Sequence, residues 1–182
     1  MQLTSSENCS VRTKSKAEVF AANMNPDVQM QICHDARLCI MGNFPTLAEV
    51  RKVYGSKAPE VWLIPQLDNL SEYCGVKEKL SKQQLRQLAF TIATEFFYLK
   101  VSELMLFFHR FKSGRYGRFY GSVDPLVITR ALRDFIAERN NAIDIYEKEM
   151  KKKELEEYMK HAVSREEALN TEEYKRGYQE TI

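Results

Sequence analysis

The chain has 182 residues, of which 44% are hydrophobic and 11% aromatic, enough apolar surface for one core in the usual domain range of about 100–200 residues. With 29% charged residues beside that apolar share, a disordered composition is excluded. Seven Gly and five Pro are too few for the frequent tight turns of an all-β sandwich or barrel, so helices are expected throughout. The formal net charge of +2 is uneven: residues 140–182 hold 8 Lys/Arg against 11 Asp/Glu, leaving the first 139 residues at +5 and the tail at −3. A body charge that mild predicts no nucleic-acid footprint by itself.

Residues 1–13 are polar and aperiodic and read as a flexible leader, followed by a helical domain over 14–139 and a charged amphipathic helical tail over 140–182. No apolar stretch of signal-peptide length opens the chain, so a cytoplasmic location is expected. The four cysteines, Cys9, Cys33, Cys39 and Cys74, are then free thiols rather than a disulfide framework. The longest apolar run, Leu104 to Phe108, is far short of the roughly 18 residues of a membrane span. A membrane partner is not expected.

In chain order, Ser15-Lys-Ala-Glu18 has the form of a capping box and predicts a short helix near 16–24,. Pro26-Asp27 opens a second helix that Gly42 stops. Thr46-Leu-Ala-Glu49 is another capping box and starts a helix over 47–54 that ends at Gly55,. From Pro59 to Gly75, Trp62, Leu63, Leu67 and Leu70 recur at three and four residues, with Pro65 expected to kink or interrupt the element,. Ser81-Lys-Gln-Gln84 caps a helix whose stripe is Leu85, Leu88, Ala89, Ile92, Ala93 and Phe96,. Val101, Leu104, Met105, Phe107, Phe108 and Phe111 follow, apolar nearly all round, which predicts a centrally buried helix ending at Gly114,. Asp124-Pro125 starts the next helix, with Leu126, Val127, Ala131, Leu132, Phe135 and Ile136 as its buried face,. Beyond Arg139 the pattern thins into an amphipathic extension, and Ser164-Arg-Glu-Glu167 suggests one more helical turn,. The fold class is all-α, a compact irregular bundle with a long charged C-terminal helical extension.

One stretch concentrates chemistry. Arg110, Lys112, Arg115 and Arg118 occur between Phe107 and Tyr120 with no acidic residue, interleaved with Phe108, Phe111, Tyr116, Phe119 and Tyr120. Rings stack on unpaired bases, guanidinium groups fork onto phosphates, and Gly114, Gly117 and Gly121 let a backbone approach a ligand. That pattern nominates Arg110, Lys112, Arg115, Tyr116, Arg118 and Tyr120 for contact with nucleic acid or a protein partner. A purely structural alternative has the same residues fasten a helix–helix connection, with arginines on carbonyls of the preceding helix end. The three phenylalanines before Gly114 belong to the core. Gly114, Gly117 and Gly121 match neither a phosphate-binding loop nor a dinucleotide fingerprint.

The run Leu106-Phe-Phe-His-Arg-Phe-Lys-Ser-Gly-Arg-Tyr-Gly-Arg-Phe-Tyr-Gly-Ser-Val-Asp-Pro125, with Ala131-Leu-Arg-Asp-Phe135, resembles a family of small uncharacterised helical proteins from mobile elements and phages of gut Bacteroidota. The resemblance covers about residues 46–139 and carries over neither catalytic residues nor a cofactor. It implies a context of element replication or maintenance.

Other constellations are thin. Cys33, His34, Cys39 and Cys74 lack Cys-x-x-Cys or paired-His spacing, so no metal is expected,. His34-Asp35 and His109 come without a nucleophile elbow or a His-Glu-x-x-His, so no catalytic residues are expected,. Glu95 and Glu103 are expected on a solvated helix face or in local pairs. The tail offers a partner helix through Tyr146, Met150, Leu155, Tyr158 and Met159, with docking or self-association expected over 140–163,. Together these features describe a non-enzymatic accessory protein without cofactors. It is expected to bind DNA or a replication protein through residues 109–121, or else to act as an adaptor through its tail.

Overall fold

The architecture comes from a computed structural model, which describes residues 16–161 and residue 176. The leader over 1–13, the cap at Ser15 and the turn at Ser164 lie outside the described residues. Eight α-helices are seen among the described residues: α1 Lys16–Asn23, α2 Gln29–Cys33, α3 Ala36–Met41, α4 Leu47–Tyr54, α5 Ala58–Tyr73, α6 Lys82–Glu95, α7 Val101–Lys112 and α8 Pro125–His161, with a 3-10 turn at Pro26–Val28. The chain divides between Arg139 and Asn140 into two units. The first holds the packed helices and the second the charged part of α8.

Local caps set the boundaries where sequence placed them. Thr46 Oγ1 accepts from the Glu49 amide at 3.2 Å while Glu49 Oε2 accepts from the Thr46 amide at 2.7 Å. Ser81 and Gln84 repeat the exchange at the start of α6, at 3.3 and 2.9 Å. Each exchange satisfies first-turn amides that the helix leaves open. Asp124 Oδ1 accepts from the Leu126 amide at 2.8 Å at the start of α8.

Helix α7 is the centre. Every residue from Val101 to Phe108 is buried, and α7 packs against α2, α3 and α5, while α5 also packs on α4 and α6. Ile128, Ala131, Leu132 and Phe135 of α8 complete the cover. Leu126 is 74% exposed, contrary to its expected place in that face: the buried stripe runs through Ile128, and Leu126 lies on the opposite side of the first turn.

Three further sequence expectations are corrected. The single second helix is instead the 3-10 turn, α2 and α3, because Asp35 adopts an extended backbone and its carboxylate accepts from the Leu38 amide at 3.0 Å, recapping the chain as α3. Short polar side chains compete with the helix ladder in this way. Helix α5 runs unbroken through Pro65. Val61 and Pro65 are both exposed, so the hydrogen bond that proline removes is lost on the solvent side of the helix, where its loss costs least.

The third correction concerns Glu103, which is fully buried rather than solvated. Its Oε1 accepts from Arg139 Nε at 2.6 Å and its Oε2 from the Lys100 amide at 2.9 Å. The ion pair joins residues 36 positions apart, which no local pairing rule reaches. Lys100 in turn donates Nζ to the carbonyls of Ile40 and Gly42 at 2.8 and 2.9 Å, closing the end of α3. Ser102 Oγ donates to the Cys39 carbonyl at 2.7 Å. Glu103→Ala is expected to remove about 3 kcal/mol or more, since it takes a buried carboxylate away from the Arg139 guanidinium and from the Lys100 amide at the start of α7,. Urea unfolding checks this, and a loss below about 1 kcal/mol would contradict the structural importance of the pair.

Candidate functional site

The nominated segment begins where α7 stops. Gly114 takes φ +82°, its amide donates to the Phe111 carbonyl at 2.9 Å, and the Arg115 amide donates to the Arg110 carbonyl at 3.2 Å. This is a Schellman stop, which requires a left-handed residue after the helix and is easiest with glycine. Gly117, at φ +98°, turns the chain again. Tyr116 then folds back on Phe107 and Phe111, with ring centroids 5.7 and 6.0 Å away, and Phe119 stacks on Phe111 at 5.4 Å. The end of the segment is held by loop 75–81, because the Glu78 amide donates to the Gly121 carbonyl at 3.1 Å and the Val123 amide to the Glu78 carbonyl at 2.9 Å. The Leu80 amide of that loop donates to the buried Ser71 Oγ at 2.9 Å.

The nominated side chains separate into two groups. Glu138 of α8 gathers three of them: Arg110 Nη1 donates to its Oε2 at 3.2 Å, Arg115 Nε to its Oε1 at 3.1 Å, and the Tyr116 hydroxyl to its Oε2 at 3.3 Å. Arg110 also lies over the Phe135 ring, 5.8 Å from its centroid. Lys112 turns the other way. Its Nζ donates to Gln29 Oε1 at 2.9 Å and to Asn69 Oδ1, with the Tyr73 ring centroid 5.9 Å away. Arg118 and Tyr120 are exposed, Tyr120 at 88%.

So Arg110, Arg115 and Tyr116 meet at one carboxylate, Lys112 joins α2 and α5 to α7, and Arg118 and Tyr120 face solvent. Phe107, Phe108 and Phe111 are buried, as the sequence implied. The arginines reach Glu138 rather than the carbonyls of the α7 end, because those carbonyls are already taken by the Schellman amides and by Ser113 Oγ on Arg110 at 2.7 Å.

Glu138 escaped the reading of the segment, although a signal for it exists. It lies three residues after Phe135 and Arg139 lies four after, positions on or beside the buried face of α8,. Charged residues there need partners. The contacts also perturb titration. Burial, and then the Glu138 charge, push the Tyr116 phenol from 10.0 to about 12. Burial lowers Lys112 below the ordinary lysine value and raises the Cys74 thiol. A hydrogen bond with Cys39 and burial raise Cys33 strongly.

Two concavities flank Lys112. One, of about 330 Å³, lies between Tyr73 and Cys74 at the end of α5, the last turn of α7, and Gly117 to Phe119. The other, of about 460 Å³, is bounded by Asp27, Gln29, Met30, Asn69, Tyr73 and His109. Elsewhere Phe20, Tyr54, Val61 and Trp62 border an apolar hollow of about 430 Å³. Among the described residues no three His, Cys, Asp or Glu side chains converge as a metal site. No described helix is long and apolar enough to cross a membrane.

Comparison with known proteins adds a family. The model of DUF6633, a family of unknown function, matches residues 77–179, which takes in α6, α7, the glycine segment and α8. No curated protein matches the chain, and neither does any solved structure.

Tyr116 generates a pH prediction. Its folded pKa is raised, so the stability tied to the protonated phenol is complete below about pH 10 and is lost as pH climbs towards about 12,. Wild type is therefore expected to lose more stability between pH 9 and pH 11.5 than Tyr116→Phe in parallel urea titrations; equal losses would contradict the burial of the phenol.

Proposed function

The chain belongs to the DUF6633 family, and we propose that it is a non-enzymatic accessory protein of a mobile element or phage that docks a protein partner along the 140–161 part of α8. The observation that carries this reading is the exposure of that stretch. None of its described residues is buried, and Ile145, Met150, Leu155, Tyr158 and Met159 are between 44% and 71% exposed. Helices usually owe their stability to packing of an apolar face, and Leu155, Tyr158 and Met159 at i, i+3 and i+4 form the kind of face that lies in a groove. Lys151 to Lys153 beside Glu154, Glu156 and Glu157 supply opposed charges that would orient such a partner. The family match extends to residue 179, so this helix belongs to the shared region. The wording of residues 106–125 supports the mobile-element context.

A second reading, contact with DNA, keeps support from Arg118 and Tyr120, both exposed and with no ion pair to a carboxylate among the described residues. An exposed ring beside a guanidinium suits base stacking with phosphate contact.

One pair of variants separates the two. For the docking reading, Leu155→Glu/Tyr158→Glu/Met159→Glu is expected to abolish recovery of a co-purifying protein from cells of native type, while Arg118→Ala/Tyr120→Ala retains it; undiminished recovery by the helix variant contradicts docking. In the DNA reading, Arg118→Ala/Tyr120→Ala weakens binding to single- or double-stranded DNA about tenfold, and wild-type binding falls steeply with salt. Salt-insensitive or absent wild-type binding rules it out.

A further inference from the structure

Lys112 is an unusual place for a charge. It is half-buried at the end of α7, and no carboxylate lies within ion-pair distance of it among the described residues. Two of its three N–H groups go to neutral amide oxygens, Gln29 Oε1 and Asn69 Oδ1, which solvate an ammonium without neutralising it. The Gln29 acceptor is fixed from behind. Gln29 is 2% exposed and donates Nε2 to Oε1 of the fully buried Gln66 at 2.5 Å, and Gln66 donates to the Met24 carbonyl at 2.8 Å. A chain of buried amides therefore aims a cation whose remaining N–H has no protein acceptor among the described residues.

The 330 Å³ pocket on one side of this ammonium has the complementary walls. Arg118 brings a second cation, Tyr73 is 63% exposed, Phe119 presents a ring braced by Phe111, and no Asp or Glu borders it. A Cβ built at Gly114 or Gly117 would meet nothing within 4 Å, so a ligand has open access to the backbone there. The volume lies within the range of small-molecule sites, roughly 300–1,000 Å³. The hollow on the other side of Lys112 contains Asp27, whose charge disfavours an anion, so the two sides are not equivalent. The carbonyls of the α7 end, which would repel an anion, are engaged by the amides of Ser113, Gly114 and Arg115,. Burial holds Lys112 below the ordinary lysine pKa, against the opposing pull of the Asp27 charge,.

We propose that the pocket formed by the end of α5, the last turn of α7 and the glycine segment binds a nucleoside monophosphate. Its phosphate sits between Lys112 and Arg118, and its base lies against Tyr73 and Phe119. The same chemistry exists free in solution and at the end of a nucleic-acid strand. The size of the pocket favours the free ligand, because about 330 Å³ is the scale of a small-molecule site and not of a strand,.

The test is calorimetric titration of the full chain with each of the four ribonucleoside monophosphates, with inorganic phosphate and with a single-stranded oligonucleotide. At least one monophosphate is expected to bind one-to-one and more tightly than inorganic phosphate. Each lost charge-assisted contact lowers affinity about tenfold or more, which is the expected effect of Lys112→Met and of Arg118→Glu. Lys112 also joins three helices, so Arg118→Glu, at an exposed position, is the variant expected to keep the wild-type melting temperature while binding is lost. Absence of monophosphate binding by wild type overturns the proposal, as does binding unchanged in both variants. Equal affinity for inorganic phosphate overturns the role of the rings. Oligonucleotide binding that needs Arg118 but not Lys112, without binding of free nucleotide, overturns the pocket and leaves surface contact with DNA in place.

Discussion

A helix that is apolar around nearly its whole circumference has no face for water, and α7 is such a helix: from Val101 to Phe108 its entire length must be enclosed. Enclosure takes more than one neighbour. Helices α2, α3, α5 and the start of α8 all press on α7, and every polar group drawn into the interior with them must be answered there. The amide of Lys100, the carboxylate of Glu103, the hydroxyl of Ser102 and the open end of α3 are all answered by protein groups there. The irregular directions of the short helices follow from that demand, since each is positioned by what it must cover on α7 rather than by a repeating interhelical register.

Charge in the body is handled through shared acceptors. Glu138 holds two guanidinium groups and a phenol, and Glu103 holds one guanidinium and a backbone amide. Both acids belong to pairings that bring α8 to α7, so the electrostatic attachment of α8 coincides with its apolar one through Phe135. Arg115 is about half exposed, which limits its share of that attachment because solvent screens the pair. The Glu103 pair lies in the interior and is screened far less.

This arrangement changes what a basic aromatic segment means. Its residues are close in sequence, yet the fold sends them in different directions: inward to rings, across to Glu138, back to Gln29 and Asn69, or outward into solvent. What stays free of such contacts is a small remainder: Arg118 and Tyr120 are exposed on the surface, and Lys112 is among the residues that border a pocket. The 140–161 part of α8 differs in kind. It carries apolar side chains at helical spacing in a stretch with no buried residue, so a docking role there does not compete with the internal contacts of the glycine segment.

Caps and apolar periodicity were legible at Thr46, Ser81, Asp124 and along α6 and α7, because a cap is a matter of three or four adjacent residues and a stripe is a matter of spacing. The all-α class, the burial of α7 and the long final helix follow from such local rules. Tertiary structure decided the rest. Whether Pro65 interrupts a helix depends on which side of α5 meets water, and whether Glu103 is solvated depends on an arginine 36 residues away. Whether Arg115, Tyr116 and Lys112 are available to a ligand depends on Glu138, Gln29 and Asn69. An acceptor's position in space is not a property of the donor's neighbours in sequence, and so the residue types of the site were readable from the chain while their exposure was set by the packing around α7.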